Sequence, residues 1–353
     1  MDAALHELRH RVMDADGAHT PLRLRGAGTK DFYGERCEGT LLDMRGYSGV
    51  IDYEPSELVI TARCGTSLSE VESLLAQHQQ FLAFEPPAFG GDPTIGGVIA
   101  AGLSGPRRFQ AGAARDFVLG AVLLCARGEL LHFGGKVIKN VAGFDLSRLL
   151  CGSLGILGAI TEVSLKVLPL PRLEQTLGFQ MQAHDALLAF NRWAGQPLPI
   201  SATAWCDGHA WVRLSGAPSA LRAARQRLGG EMLEAAAAGP LWCSLRDQTH
   251  AFFSQASTLW RLSLPSTAAP IAATGTQLIE WGGALRWCAS DLPAADMRAL
   301  AVAAGGSALH WRGGTAGARF HSLSPAVLQI HRRLKSRFDP HGIFNPGRLI
   351  ADL

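Results

Sequence analysis

The stretch Glu85-Pro-Pro-Ala-Phe-Gly-Gly-Asp-Pro-Thr-Ile-Gly-Gly-Val-Ile-Ala-Ala-Gly-Leu-Ser-Gly105 packs six glycines and three prolines into 21 residues. Side chains are missing where something flat or bulky can come against the backbone, and the prolines hold the path fixed without a ligand's help. A long irregular loop is the plain alternative. Loops of this length inside compact domains are usually functional, which favours a cofactor-facing segment.

On either side of this loop run short β-branched segments, Leu58-Val-Ile-Thr-Ala62, residues 117–124 and residues 159–167, separated by Gly-rich turns. Between the first run and the loop, Ser67-Leu-Ser-Glu70 has the form of a capping box and opens the stripe Leu68, Val71, Leu74, Leu75. The expected class is α+β, with an amphipathic helix lying on a sheet of short strands.

Upstream, Arg25-Gly-Ala-Gly-Thr-Lys30 follows the strand-like Pro21-Leu-Arg-Leu24. A Gly-rich turn lets consecutive backbone N–H groups converge on phosphate oxygens, and Arg25 and Lys30 add positive charge there. The same glycines could simply make a turn. A Rossmann fingerprint is excluded because its third glycine falls on Asp31, and Gly135-Lys136 lacks the flanking residues of a P-loop. Downstream, Gly152, Gly155 and Gly158 punctuate a turn that enters an alternating strand, so backbone can approach a ligand just before the sheet resumes.

Leu168-Pro-Leu-Pro-Arg172 is read as the domain boundary, since two prolines so close favour an extended connector. Beyond it, Ala-rich helical stretches at 219–228 and 231–238 alternate with strands bearing Trp205, Trp211, Trp281 and Trp287. That second lobe is expected to be α+β and smaller. Ser324-Pro325 opens a helix running to Phe338, and Asp339-Pro340 and Asn345-Pro-Gly347 end it, giving a tail that returns to the first lobe.

Bulk properties narrow the function classes. The 353 residues are 47% hydrophobic and 18% charged, as in a globular chain of about two domains. A net charge of +3 with dispersed Lys and Arg argues against a nucleic-acid partner. The seven cysteines (Cys37, Cys64, Cys125, Cys151, Cys206, Cys243, Cys288) form no CxxC pair and read as reduced cytosolic thiols, with no metal site. Charged residues in the first twelve positions and the lack of an apolar window of roughly 18–20 residues predict a cytoplasmic protein that meets a membrane only peripherally, through partners.

Together, these segments are similar to the FAD-binding domain of the vanillyl-alcohol oxidase and p-cresol methylhydroxylase superfamily. The resemblance rests on Arg25-Gly-Ala-Gly-Thr29, Pro93-Thr-Ile-Gly-Gly97, Gly112-Ala-Ala-Arg-Asp-Phe-Val-Leu-Gly120, the run from Gly143 to Val167, and the closing Phe338-Asp-Pro-His-Gly-Ile-Phe-Asn-Pro-Gly347. It covers residues 20–170 and 325–349. Within the superfamily, residues 134–169 and Trp260-Arg-Leu-Ser-Leu-Pro265 resemble the FAD-binding subunits of glycolate oxidase.

The resemblance implies an FAD-binding domain of two subdomains (1–170), a reduced α+β cap (171–323) and a tail packing on the FAD domain (324–353). It implies that the amides of Gly26, Ala27, Gly28 and Thr29 hold the FAD diphosphate, with Arg25 and Lys30 beside them. Pro87, Thr94, Gly96 and Gly97 would border the isoalloxazine and phosphates, and Asp92, Ile95, Ala101 and Gly105 of the same stretch are counted to the cofactor site. Asp116 and Gly120 would shape the adjoining sheet, Gly155 and Ile160 would flank the adenine, and Asn345 would come back over the flavin. No histidine lies in the first loop, so the FAD is expected to be noncovalent.

The implied activity is oxidation of glycolate or another small 2-hydroxy acid, in a complex with a larger FAD-linked subunit and an iron–sulfur subunit. Catalytic relatives carry a His-x-Gly-Asp-Gly-Asn-x-His metal element that is missing from residues 171–353. A structural FAD scaffold, or a stand-alone flavin dehydrogenase, therefore stays open as an alternative. Arg261 is the candidate clamp for a substrate carboxylate, or else a surface or interface arginine. His250, His310, His321 and His331 are candidate bases or structural residues. Lys136, Lys139 and Arg148 could neutralise phosphate or reduced flavin, or simply be solvated. The tryptophans read as packing.

Overall fold

The computed structural model describes residues 2–135, 145–271, 275–313, 317–351 and 353; Lys136 and Lys139 lie outside them. The chain divides into two compact units. Met1–Leu103, Ala113–Pro169 and Ser322–Leu353 form the first, and Ser104–Gly112 with Leu170–His321 form the second.

In the first unit, an antiparallel five-stranded sheet runs in the order Val50–Glu54, Val59–Arg63, Ala159–Lys166, Val118–Leu124, Leu130–Gly134. Ala159–Lys166 is central and almost wholly buried, which suits its β-branched composition. Where polar side chains enter the sheet they pair, as Thr61 and Ser164 do with hydroxyls 2.9 Å apart. The helix Leu68–Gln77 starts at Ser67, whose hydroxyl accepts from the Glu70 N–H at 3.2 Å, and it buries Leu68, Val71 and Leu75.

A second, parallel pair of strands, Leu22–Arg25 and Thr40–Asp43, leads directly into the Gly-rich loop at 26–30. An N-terminal helix, Ala3–Gly17, covers this pair and is not among the expectations above. It is capped by Asp2, and it buries Leu5, Leu8, Val12 and Ala15 in one core with Leu22, Leu42, Ile343 and Phe344. The last two of those come from the chain's end.

The tail helix Pro325–Phe338 is capped by Ser324, as the sequence predicts. Near its end, the buried Lys335 ammonium donates to Asp339 Oδ2, the Ile156 carbonyl and the Phe344 carbonyl, each at 2.7 Å. Asp339, also buried, accepts from the N–H groups of Ile343 at 2.9 Å and Phe344 at 2.8 Å. Burial pulls the Lys335 ammonium below its ordinary range, against the opposing pull of Asp339.

The second unit is built on an antiparallel eight-stranded sheet in the order Glu231–Met232, Leu173–Gln180, His209–Gly216, Ile200–Cys206, Thr276–Glu280, Leu285–Ala289, Leu259–Ser263, Ser307–Arg312. The helices Ala183–Ala194 and Pro218–Leu228 bury Phe190, Trp193, Leu221 and Ala224 in the core beneath its first half.

Three expectations need correction. Residues 231–238 are not one helix: Gly229 and Gly230, both with positive φ, end the preceding helix, Glu231–Met232 pairs with Leu177 and Gly178, and a helix begins only at Ala235. Trp281 lies not in a strand but in a tight turn at φ 53°, followed by Gly282 and Gly283. Residues 104–112, expected in the first domain, belong to the second unit. Arg107 fixes them there. Its buried guanidinium donates to Ser215 Oγ at 3.2 Å and pairs with Glu174, while Trp281 Nε1 donates to the Gly105 carbonyl at 3.1 Å. Burial opposes ionisation of Glu174, but Arg107 and Arg213 outweigh it and hold the carboxyl below its usual range.

Replacing Lys335 by Met strands the Asp339 charge among apolar groups. Urea unfolding is expected to show a loss of about 3–5 kcal/mol, and a loss below about 1 kcal/mol would contradict the structural role given to the pair.

Candidate functional site

The loop after Leu22–Arg25 is an anion cradle by its backbone. Among the described residues, the N–H groups of Gly26, Ala27, Gly28 and Thr29 donate to no protein acceptor, while those of Asp31 and Tyr33 close turns onto Gly28 and Lys30. Four consecutive amides, of exposed Ala27 and half-buried Gly26, Gly28 and Thr29, are costly to leave without a partner unless water or an anion meets them. Gly28 takes φ 78°, and a Cβ there would lie 2.2 Å from Arg25 Nη2, so only glycine lets the guanidinium fold beneath the loop. Arg25 is thereby spent on Asp31 at 2.8 Å. The Lys30 ammonium lies 3.3 Å from the Thr29 hydroxyl and 5.5 Å from the centre of the Phe89 ring.

The proline- and glycine-rich stretch faces this cradle. A Cβ on Gly26 would fall 2.1 Å from Thr94 Oγ1, and one on Gly91 would fall 2.7 Å from Thr29 Cγ2. Phe32 and Phe89 meet edge to face at 5.2 Å. Thr94 caps the helix Ile95–Ala101, accepting from Gly97 N–H at 3.2 Å, and Gly96 N–H donates to Cys64 at 2.9 Å. Gly96 and Gly97 therefore contribute close approach and not free donors. Pro87, Ile95 and Ala101 are buried behind the loop. Asp92 is exposed and engaged, accepting from the Ser69 N–H at 3.1 Å and hydroxyl at 2.6 Å. Desolvation raises its carboxyl, but those bonds outweigh it and hold the group below the usual range.

The third segment and the tail meet the cradle from behind. A Cβ on Gly155 would lie 2.8 Å from Asn345 Nδ2 and 2.9 Å from Leu24 Cδ1. Asn345, 5% exposed, accepts from Leu24 N–H and donates to the Leu154 carbonyl, both at 2.7 Å, so its carboxamide is committed at both ends to backbone. Ile160 is buried in the central strand opposite Leu123, and Gly120 lies so close to Gly135 that a Cβ would meet its carbonyl at 2.7 Å. Asp116 is exposed and closes a turn by accepting from Ala113 N–H at 2.8 Å. Gly105 falls in the second unit.

One contributor went unread in the sequence. Arg348, just past Asn345-Pro-Gly347, donates to the carbonyls of Lys30 at 3.2 Å, Asp31 at 3.0 Å and Glu35 at 2.8 Å, which fixes the far side of the cradle. A lone arginine after a helix-breaking Pro-Gly carries no periodic signal. The remaining candidates have local tasks. Arg148 pairs with Asp145 at 2.8 Å, His250 caps a short helix through Phe252 N–H at 3.3 Å, and His310 stacks on Trp260 at 4.7 Å. In the second unit, Arg261 lies over the rings of Trp281 at 5.3 Å and Trp287 at 5.8 Å. Burial pushes the thiol of Cys206 up to about 11 and that of Cys64 up strongly, so neither is poised as a thiolate.

The geometry suits a dinucleotide diphosphate lying along the amides of 26–29, between two loops stripped of side chains. Over 346 residues the chain is 45% identical to glycolate oxidase subunit GlcE of Escherichia coli (strain K12), covering 98% of this chain and 97% of that one. The chain belongs to the GlcE family. Residues 5–134 match the FAD binding domain family, and residues 294–349 match the C-terminal domain of FAD linked oxidases. Glycolate oxidase subunit GlcD of Bacillus subtilis (strain 168) is 33% identical over 172 residues, 47% of this chain and 36% of that one. Alkyldihydroxyacetonephosphate synthase shares the fold, with a TM-score of 0.67 at 15% identity over 97% of this chain and 75% of its own. These matches establish the mixed α+β architecture of the FAD-linked oxidases for this member of the GlcE family.

Gly28→Val puts a side chain against Arg25 at a left-handed residue, a strain of about 1–3 kcal/mol at the cradle itself. Equilibrium dialysis is expected to show FAD affinity reduced by about tenfold or more. Asp92→Ala, which only releases Ser69, should leave the affinity within about twofold; the opposite ranking would relocate the site.

Proposed function

We propose that this chain is the FAD-carrying subunit of a complex that oxidises glycolate, or a related small 2-hydroxy acid, to the 2-oxo acid. The observation that carries the reading is the 45% identity, nearly end to end, to a protein named as a glycolate oxidase subunit. The unsatisfied amides of Gly26, Ala27, Gly28 and Thr29 support it by providing for the diphosphate. FAD supplies the redox chemistry when bound, taking a hydride from the α-carbon of the acid.

The residues of the chain bind and orient. Lys30 adds positive charge beside the diphosphate, Thr94 and Gly96 border the cofactor at close range, and Gly155 lets the nucleotide approach the turn before the central strand. Asn345 and Arg348 hold the cradle in shape from behind. The first loop, Gly26-Ala-Gly-Thr-Lys-Asp31, contains no histidine, which supports noncovalent FAD. Arg261 serves as the carboxylate ligand in this reading, its guanidinium plane fixed by Trp281 and Trp287.

A larger FAD-linked subunit and an iron–sulfur subunit complete the complex, which lies in the cytoplasm and touches the membrane only peripherally. Among the described residues, no helix is long and apolar enough to cross a membrane. Residues 171–353 lack the His-x-Gly-Asp-Gly-Asn-x-His element of catalytic relatives, so oxidation of substrate is assigned to the assembled complex, in which this chain's flavin takes part. The same absence favours a second reading, in which the flavin is structural and never turns over.

Anaerobic absorption spectra separate the two. The flavin of the isolated chain should stay oxidised with glycolate and bleach once the partner subunits are added. A flavin in this chain that remains oxidised in the assembled, glycolate-reduced complex would establish the scaffold reading instead. Acid precipitation is expected to release the flavin into the supernatant; yellow colour retained in the pellet would overturn noncovalent attachment.

A further inference from the structure

The tail helix Pro325–Phe338 has two faces of different fate. Leu328, His331, Lys335 and Phe338 turn towards the first unit and are buried or half-buried. Leu323, just before the helix, and Val327 and Ile330 within it are 37%, 40% and 56% exposed. Within the helix, Val327, Ile330 and the half-buried Leu334 follow a spacing of three and four residues, which places them on one stripe. Arg333 and Arg337, three and seven residues after Ile330, lie along the same side and are exposed. The helix has no Asp or Glu, and its one buried cation, Lys335, is already balanced by Asp339.

We propose that this stripe is a docking surface for a partner polypeptide, a subunit that presents an apolar strip rimmed by Asp and Glu. The proposal rests on the subunit reading above and adds where the contact is made. Charge decides the class of occupant. A second copy of the chain would set arginines opposite Arg333 and Arg337 in a parallel pairing and, because the helix has no Asp or Glu, would leave them without counter-charge in an antiparallel one. A lipid surface is disfavoured because interfacial helices sink Trp, Phe or Leu broadly into the headgroup region. Here the one aromatic of the helix, Phe338, faces the body of the unit, and the pinning of Lys335 by three hydrogen bonds prevents the helix from rolling over. A narrow apolar seam with arginines alongside matches helix-in-groove recognition, in which i, i+3, i+4 and i+7 anchors are rimmed by complementary charge.

The test uses the full-length, tagged chain co-expressed with the larger flavin subunit and the iron–sulfur subunit. Ile330→Glu, and separately the double variant Arg333→Glu with Arg337→Glu, should lower the recovered partner by about tenfold or more. FAD content and melting temperature should stay as in the unmodified chain, because these side chains touch solvent. Met13→Glu, at a residue 52% exposed elsewhere on the unit, should change nothing. Recovery within about twofold for both helix variants, with glycolate still bleaching the complex, overturns the docking surface and leaves the subunit reading intact. Failure of the unmodified chain to recover any partner removes both. Binding of the unmodified chain to phosphatidylglycerol vesicles that is lost in Ile330→Glu, with complex recovery unaffected, assigns the stripe to membrane and also overturns the proposal.

Discussion

The first unit depends on a buried ion pair made almost at the chain's end. Moving an ammonium and a carboxylate out of water costs several kcal/mol each unless both are fully paired and hydrogen-bonded. Lys335 and Asp339 meet that condition, with three donors and two oxygens all engaged. Their partners are not arbitrary. The Ile156 carbonyl belongs to the turn that precedes the central strand, and the bonds to Ile343 and Phe344 bend the chain back to Leu22, whose N–H donates to Ile343 at 2.7 Å. From there Asn345 and Arg348 reach the cradle itself. The shape of four free amides is thus set by side chains more than three hundred residues away.

Legibility in the sequence followed the kind of physics involved. Glycines whose missing Cβ makes room, at 26, 28, 91, 96 and 155, stood out because composition alone marks them; those at 26, 28 and 91 make room within the cradle, Gly96 against Cys64 and Gly155 against Leu24 and Asn345. The strands and the two well-capped helices were legible because period and cap chemistry are local. Asp92 and Asn345 showed only as members of a motif; which atoms they touch is decided by neighbours far along the chain. Arg107, Arg348 and the Lys335–Asp339 pair were missed for the same reason: a buried charge betrays itself by its partner, and the partner is not adjacent. The N-terminal helix was passed over although Leu5, Leu8, Val12 and Ala15 recur at helical spacing.

The excursion at Ser104–Gly112 shows how one continuous motif can serve two bodies. Residues up to Leu103 belong to the first unit and those from Ala113 return to it, yet the nine residues between are held in the second by Arg107 on Glu174 and Ser215, and by Trp281 on Gly105. Arg108 adds its guanidinium over the Trp281 ring at 4.3 Å. Trp281 sits at φ 53°, a strained value for a bulky side chain, and Gly282 beside it leaves space for Phe109. The strain is repaid by capturing the excursion, so Gly105 is better understood as part of that anchorage than as part of the cradle.

The tie between Asn345 and Leu24, residues 321 positions apart, also has a bearing on how the molecule is made. Leu22–Arg25 pairs with the nearby Thr40–Asp43, but its other edge waits for Ile343 and Asn345, so the Gly-rich loop lacks that second support until the tail has been made. Closing so long a loop is slow and entropically costly. Bracing of the cradle from behind therefore comes late in folding, and a chain without Asn345 and Arg348 would lack it.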